Sequence, residues 1–422
     1  MGKIKESTVS LARLLFKGRA PGQLIIQYTD HCNAHCPQCG MRVSNKFVRK
    51  TLDTGKTERI IRSAAEKGVR ALSFTGGEPF LYLDQICHLA RVADQCGIEY
   101  IRTGTNGFLF RHSDRADFPD RMKQLADQLA ATAIRNVWVS IDSSDVVTHE
   151  QMRGLPGVIK GIETALPIFA DRGLYLSANL GINRNFSGAN KDQDHLDYDF
   201  FYSGFDRFYH FVKDIGFTIA NVCYPMHSDD NADEAVYAAT AADRVVYFSR
   251  QEKLNLFQAL SDCIPHHRDK LRIFTPRCSL HALLRQYQGD ESLATPCRGG
   301  IDFFFVDSRN GHTYPCGYRG DEDLGEFPDL DLHSLKTRKE CRQCDWECFR
   351  DPSELFSPLL DLRIAPQRLI TRLCQDRKFF KLWKEDLLYY RACQYFNGRI
   401  APSTGLLDDW QKVPPHQPLT AH

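Results

Sequence analysis

Three cysteines in the segment CNAHCPQC, Cys32, Cys36 and Cys39, carry the first legible chemistry of the chain. Their C-x3-C-x2-C spacing puts three thiolates on one tight loop. Such a loop can hold three irons of a cubane cluster and leave the fourth iron open to a small ligand. Zinc is the alternative, although zinc sites usually pair C-x2-C with a second pair elsewhere. A second group follows near the other end: Cys297 and Cys316, then Cys341, Cys344 and Cys348 in ECRQCDWEC. Cys87, Cys96, Cys223, Cys263, Cys278, Cys374 and Cys393 are scattered and read as small buried hydrophobes. An odd total of 15 cysteines without an export signal argues against a disulfide framework and for a reducing, cytoplasmic compartment.

The first loop directly follows a strand-like run, and that run opens an alternating series. Apolar or β-branched runs occur at 24–29, 71–75, 100–105, 136–141, 175–180 and 218–223, with amphipathic stretches at 57–66, 83–96, 118–133, 158–171 and 198–214. Six strand–helix alternations imply a parallel sheet with helices outside it. Short strands, each ending in a polar or Gly-rich turn, predict an α/β fold built on a partial (β/α)6 TIM-like barrel, with chemistry at the C-terminal strand ends. A doubly wound sheet fits the same periodicity. Residues 1–22 read as an amphipathic N-terminal helix, 23–228 as the barrel and 229–296 as a helical connection. A smaller α+β auxiliary domain is expected at 297–358, then C-terminal helices and a tail at 359–422. Cys374, on a helical pattern with Leu369, Ile370 and Leu373, is expected in a core.

Composition excludes several classes. The 422 residues carry a formal charge of +1, so no global field draws nucleic acid. Hydrophobic residues at 42% and charged residues at 25% rule out disordered or collagenous chains. No run of 18 apolar residues is present, so no transmembrane helix is expected. Basic and apolar residues mix at 1–22 and again in LITRLCQDRKFFKLWKEDLLYYR. That mixture suits either a surface helix or peripheral contact with the inner membrane face.

The chain resembles the radical S-adenosylmethionine (radical SAM) superfamily, on motifs in the family's order. The cysteine loop follows the first strand, and the second runs into FTGGEP, where Gly76, Gly77 and Glu78 match the GGE motif. The third ends in TGTNG with Asn106, the fourth carries Ser140, Asp142 and Arg153, and the fifth ends near Asn179. The resemblance implies that these eight residues bind SAM, with Glu78 meeting its amino group and Ser140, Asp142 and Arg153 its ribose and carboxylate. It further implies a [4Fe–4S] cluster on Cys32, Cys36 and Cys39, fed by a donor such as flavodoxin or ferredoxin. Reductive cleavage of SAM then yields a 5′-deoxyadenosyl radical that removes a hydrogen atom from an unactivated C–H bond. The residue before the third cysteine is usually aromatic in the family; here it is Gln38, so contacts to the adenine are expected to differ.

The second group resembles the opening of the SPASM and twitch auxiliary-cluster domains. Cys297 is followed by thirteen residues, Gly311, four more and Cys316. The resemblance implies one auxiliary [4Fe–4S] cluster on Cys297, Cys316, Cys341 and Cys344, with Cys348 as an alternative ligand. The run C-x2-C-x3-C departs from the full SPASM pattern, which puts a second auxiliary cluster in doubt. A zinc site on the same thiolates is the rival. A small-molecule or lipid-like substrate is favoured. A peptide substrate is the alternative, weakened because only 22 residues precede the first strand. A non-enzymatic iron–sulfur or zinc scaffold is a remote third reading. Asp142, Cys223 and Tyr224 stand at strand ends, but no catalytic acid or base is assigned.

Overall fold

The computed structural model describes residues 18–40, 48–188, 195–225, 236, 244–332, 334–335, 341–342 and 344–410. Most of the expected N-terminal helix, and most of the start of the helical connection expected at 229–296, lie outside them. The barrel half runs β1 (Gly22–Thr29), α1 (Thr54–Glu66), β2 (Val69–Gly76), α2 (Leu83–Gln95), β3 (Tyr100–Thr105), α3 (Phe118–Ala130) and β4 (Ile134–Ser140). It continues through α4 (Val146–Arg153), α5 (Val158–Ala170), β5 (Ser177–Gly181), α6 (Tyr198–Asp214) and β6 (Ile219–Cys223). Each strand pairs in parallel with the next, from β1 to β6. The partial parallel barrel is therefore present.

Period-3.6 apolar positions seat the helices on this sheet. Ile60, Ile61 and Ala64 of α1 and Ile86, Leu89, Ala90 and Ala93 of α2 are buried in one continuous apolar cluster with the strands. Each large side chain so buried stabilises by about 1.5–3 kcal/mol. Capping sets the helix starts: the Asp53 carboxylate accepts from Lys56 N before α1, and Asp197 accepts from Phe200 N before α6.

Beyond the barrel come α7 (Arg250–Cys263), β7 (Arg272–Ile273), α8 (Arg277–Tyr287), β8 (Phe303–Val306) and β9 (Thr313–Tyr314). The sheet has nine strands in the order β7-β6-β5-β4-β3-β2-β1-β8-β9. β8 and β9 form a hairpin that continues the barrel sheet: β8 lies parallel to β1, from Gln23↔Phe303 to Ile26↔Val306. At the other edge, the two-residue β7 is held by Arg272, whose guanidinium donates to the carbonyls of Asn397 and Ile400.

Three helices follow, α9 (Glu347–Ile364), α10 (Pro366–Gln375) and α11 (Arg377–Ala392), before a short α12 (Thr404–Asp408). Cys374 does not enter a core. It is exposed, as are Ile370 (60%) and Leu373 (47%) on the same helix. The reason is that α10 turns its buried side inward through Arg372, which bonds Glu354 and lies 3.3 Å from the centre of the Phe379 ring. Phe379, Leu382 and Tyr389 of α11 are buried, and Trp383 Nε1 donates to Leu355 O. The aromatics of this basic stretch therefore face the protein.

Candidate active site and auxiliary metal centre

A cavity of about 370 Å³ opens inside the barrel. Alternate residues of the strands line it, from Gln23 and Ile25 on β1 to Asn221 and Cys223 on β6, as a period of two demands. Cys32, Cys36 and Cys39 stand at its rim. Gly76, Gly77, Glu78, Asn106, Ser140, Asp142, Arg153 and Asn179, the eight residues named from sequence, all line it too.

Backbone bonds hold the cysteine loop against β2. Gly77 N donates to Thr29 O (2.7 Å) and Glu78 N to His31 O (2.8 Å). A Cβ on Gly77 would lie 2.1 Å from His31 O, so the glycine is needed for the loop to approach at all. Gly77→Ala is expected to cost about 1–3 kcal/mol through overpacking and to lower iron uptake at the first loop. Iron analysis with thermal unfolding checks this, and a variant with full iron and unchanged melting would contradict it.

Glu78 is wholly buried, and its two carboxylate oxygens accept from Asn106 N (2.6 Å) and Phe80 N (3.0 Å). Burial pushes its carboxyl up to about 7 against the pull of these donors. Beyond facing the cavity, it ties β2 to the end of β3. Asn106 in turn reaches the cysteine loop, its Nδ2 donating to Asn33 Oδ1 at 2.8 Å and lying 3.9 Å from Cys32 Sγ.

Asp142 and Arg153 bind each other. Arg153 Nη2 donates to Asp142 Oδ1 at 2.9 Å, Nε lies 2.7 Å from Oδ2, and both side chains are buried. Gln38 Nε2 reaches the same Asp142 Oδ2 at 2.5 Å. The residue that departs from the family's aromatic thus joins the cysteine loop to the end of β4. His149, whose Nδ1 accepts from Asp142 N, is held well below the usual imidazole range, at about 4, because it is buried. Removing one member of a buried pair leaves the other charge uncompensated, so Asp142→Ala should destabilise by about 3–5 kcal/mol. Urea unfolding measures this, and an unchanged midpoint would refute it.

A second, much smaller cavity of about 10 Å³ is lined by Cys297, Cys316, Cys341 and Cys344. Cys297 N donates to Cys341 O, which brings the two halves of the set together. Arg319, Arg342 and Arg350 surround the four thiols, cations suited to an anionic thiolate cluster. Burial first, then neighbouring thiols, pushes Cys316 up to about 12, and burial pushes Cys36 up to about 11. A metal at either site must therefore displace protons as it binds. Among the described residues, the group of three ligand atoms within 4.8 Å of one another is Asp206, His210 and His267, and no cysteine trio is that close.

Cys348 is absent from the lining of the small cavity. It lines the large cavity, because Glu347 and Cys348 begin α9 and turn the chain from one cavity to the other. Its Sγ lies 3.6 Å from Glu347 Oε1, and the same carboxylate bonds the Cys223 thiol and accepts from Tyr224 N. Burial raises the Glu347 carboxyl. Glu347 and Asp351 were not anticipated from sequence; only their nearness to a cysteine run could have drawn attention to them.

A thiol triplet after β1, a GG pair at the end of β2 and an interior chamber point to the class, and comparison agrees. Residues 26–178 match the profile of the Radical SAM superfamily. The chain carries a radical SAM domain and is an enzyme of that type, whose cofactors are a [4Fe–4S] cluster and SAM. It is similar to the AdoMet-dependent heme synthase of Methanosarcina barkeri, 23% identical over 71% of this chain and 77% of that one. The GTP 3′,8-cyclase of Tolumonas auensis is 30% identical over 34% of this chain and 40% of that one. Streptococcus suis SuiB bound to S-adenosylmethionine shares the fold, with a TM-score of 0.50, 18% identity and coverage of 79% and 69%. The cysteine-rich C-terminal part fits a SPASM-like auxiliary segment. No helix of the described residues is long and apolar enough to cross a membrane.

Proposed function

We propose that this enzyme removes a hydrogen atom from an unactivated C–H bond of a small-molecule or lipid-like substrate, assisted by an auxiliary cluster. Bound at Cys32, Cys36 and Cys39, the cluster and SAM supply one-electron chemistry, with the electron drawn from a donor such as a flavodoxin or ferredoxin. The residues of the chain supply position. Gly76 and Gly77 let the loop close on β2, Glu78 and Asn106 fix the loop against β3, and the Gln38–Asp142–Arg153 network fixes it against β4.

The observation that carries this reading is the single chamber shared by the cysteine loop and the inner barrel face. At about 370 Å³ it is a small-molecule cavity by size. Similarity to an AdoMet-dependent heme synthase over 71% of the chain supports the same class. A peptide substrate is the second reading, favoured by the fold match to SuiB, also solved bound to the precursor peptide SuiA. The test is anaerobic reconstitution with iron counting and a SAM-cleavage assay. About eight irons per chain and formation of 5′-deoxyadenosine are expected. No SAM cleavage by fully loaded protein would reject the reading.

A further inference from the structure

The charged groups facing the large cavity are not equally provided for. Arg153 and Asp142 bind each other. Glu78 accepts from two backbone amides, Glu347 from Tyr224 N and two thiols, and Asp351 from the Ser279 hydroxyl at 2.5 Å. Arg102 is the exception. Its Nε donates to Ser73 Oγ at 2.6 Å and its guanidinium lies 5.8 Å from the Trp138 ring centre, yet no carboxylate of the described residues pairs with it. A guanidinium offers five N–H donors, and one is used. Arg102 is half-buried on the cavity wall, and a partly desolvated cation gains from an anionic partner.

Its place in the fold says what the missing partner is. Arg102 sits on β3, four residues before Asn106, hence about 13 Å down the strand from the cofactor end. Arg102 pairs in register with Ser73 on one side and Asn136 on the other. The neighbouring inner positions Ser177, Asn179 and Asn221 are neutral hydrogen-bonding groups. Ser73 and the Trp138 face hold the guanidinium plane. Gly104 is what admits that indole, since a Cβ there would lie 2.0 Å from it.

We propose that Arg102 anchors a carboxylate of the substrate at the end of the chamber away from the cysteine loop, by a two-point hydrogen-bonded ion pair. This rests on reading the chamber as shared by cofactor and substrate. A monoanionic carboxylate matches one guanidinium in charge and in planar geometry. A doubly charged phosphate would leave a surplus charge in a chamber whose remaining wall carries Glu347 and Asp351.

The test uses the full, reconstituted protein with SAM present and equilibrium dialysis of three probes: glutarate, its neutral diamide and inorganic phosphate. Glutarate is expected to bind best. R102M is expected to weaken it roughly ten- to a hundredfold, the loss of one charge-assisted pair. Equal glutarate binding by wild type and R102M overturns the proposal, as does no preference over the diamide or tighter binding of phosphate. SAM affinity is measured in parallel, and its loss in R102M would assign the cation to the cofactor instead. Should R102M not fold, R102K keeps the charge but not the fork, and several-fold weaker glutarate binding is expected. Unchanged affinity in R102K overturns the proposal. Failure of the wild type to bind SAM would defeat the functional reading itself, whereas SAM binding without carboxylate preference defeats only this inference.

Discussion

Replacing Cys32, Cys36 and Cys39 together with Ala is expected to abolish 5′-deoxyadenosine formation from SAM and to remove about four irons. All three thiols line the chamber rim, and the remaining cavity thiols, Cys223 and Cys348, are bonded to Glu347 at the end of β6 and the start of α9. They cannot substitute on the loop. The loop's path depends on backbone bonds from Gly77 and Glu78 rather than on sulfur, so the variant should fold and keep the auxiliary irons. Those irons are the internal control. Product formation by the purified triple variant would show that the cofactor site has been misplaced.

Cys297→Ala with Cys316→Ala should have the second largest effect. About four irons are lost, the first cluster keeps its spectrum, and substrate turnover falls below detection while some uncoupled SAM cleavage survives. The structural reason lies in a short segment. Cys344 lines the small cavity, Trp346 lines both, and Glu347 and Cys348 line the large one. Four residues of chain, at most about 14 Å, join the two sites. A metal centre ligated at Cys344 would therefore fix the wall that carries Glu347 and Cys348, and would lie within about 14 Å of chain from the chamber. Electron paramagnetic resonance with iron counting separates the clusters. Coupled turnover by a variant lacking the auxiliary irons would refute both roles. Zinc in the wild-type site would remove the electron-transfer role and leave the positioning one.

The alternating half of the fold was legible because its strands and helices differ in period. The helix expected at 198–214 is α6 residue for residue, and the strand expected at 100–105 is β3. Two-residue β7 carries too little pattern to be read, and its stability comes from Arg272 and distant carbonyls. The placement of β8 beside β1 is a long-range pairing, invisible to any local window. The residues lining the chamber were legible as types and positions but not as partners. Nothing in the spacing of Gln38, Asp142 and Arg153 says that they bind one another across the loop. Likewise C-x2-C-x3-C does not reveal that a helix begins between its second and third cysteines and sends Cys348 to the other chamber.

The pairing of β8 with β1 also sets how this enzyme can be dissected. All eight residues of β1 are buried, and its far edge is occupied by Phe303–Val306. Below the cysteine loop, Gln27 Nε2 bonds both Asp30 Oδ1 (2.5 Å) and Ser308 Oγ (2.9 Å), so the turn after β8 grips the root of that loop. A shortened protein ending before Cys297 would uncover a long apolar strand with a row of unpaired backbone groups, the surface that invites edge-to-edge aggregation. A minimal catalytic core of this enzyme must therefore keep residues 297–314, even if every auxiliary thiolate is removed.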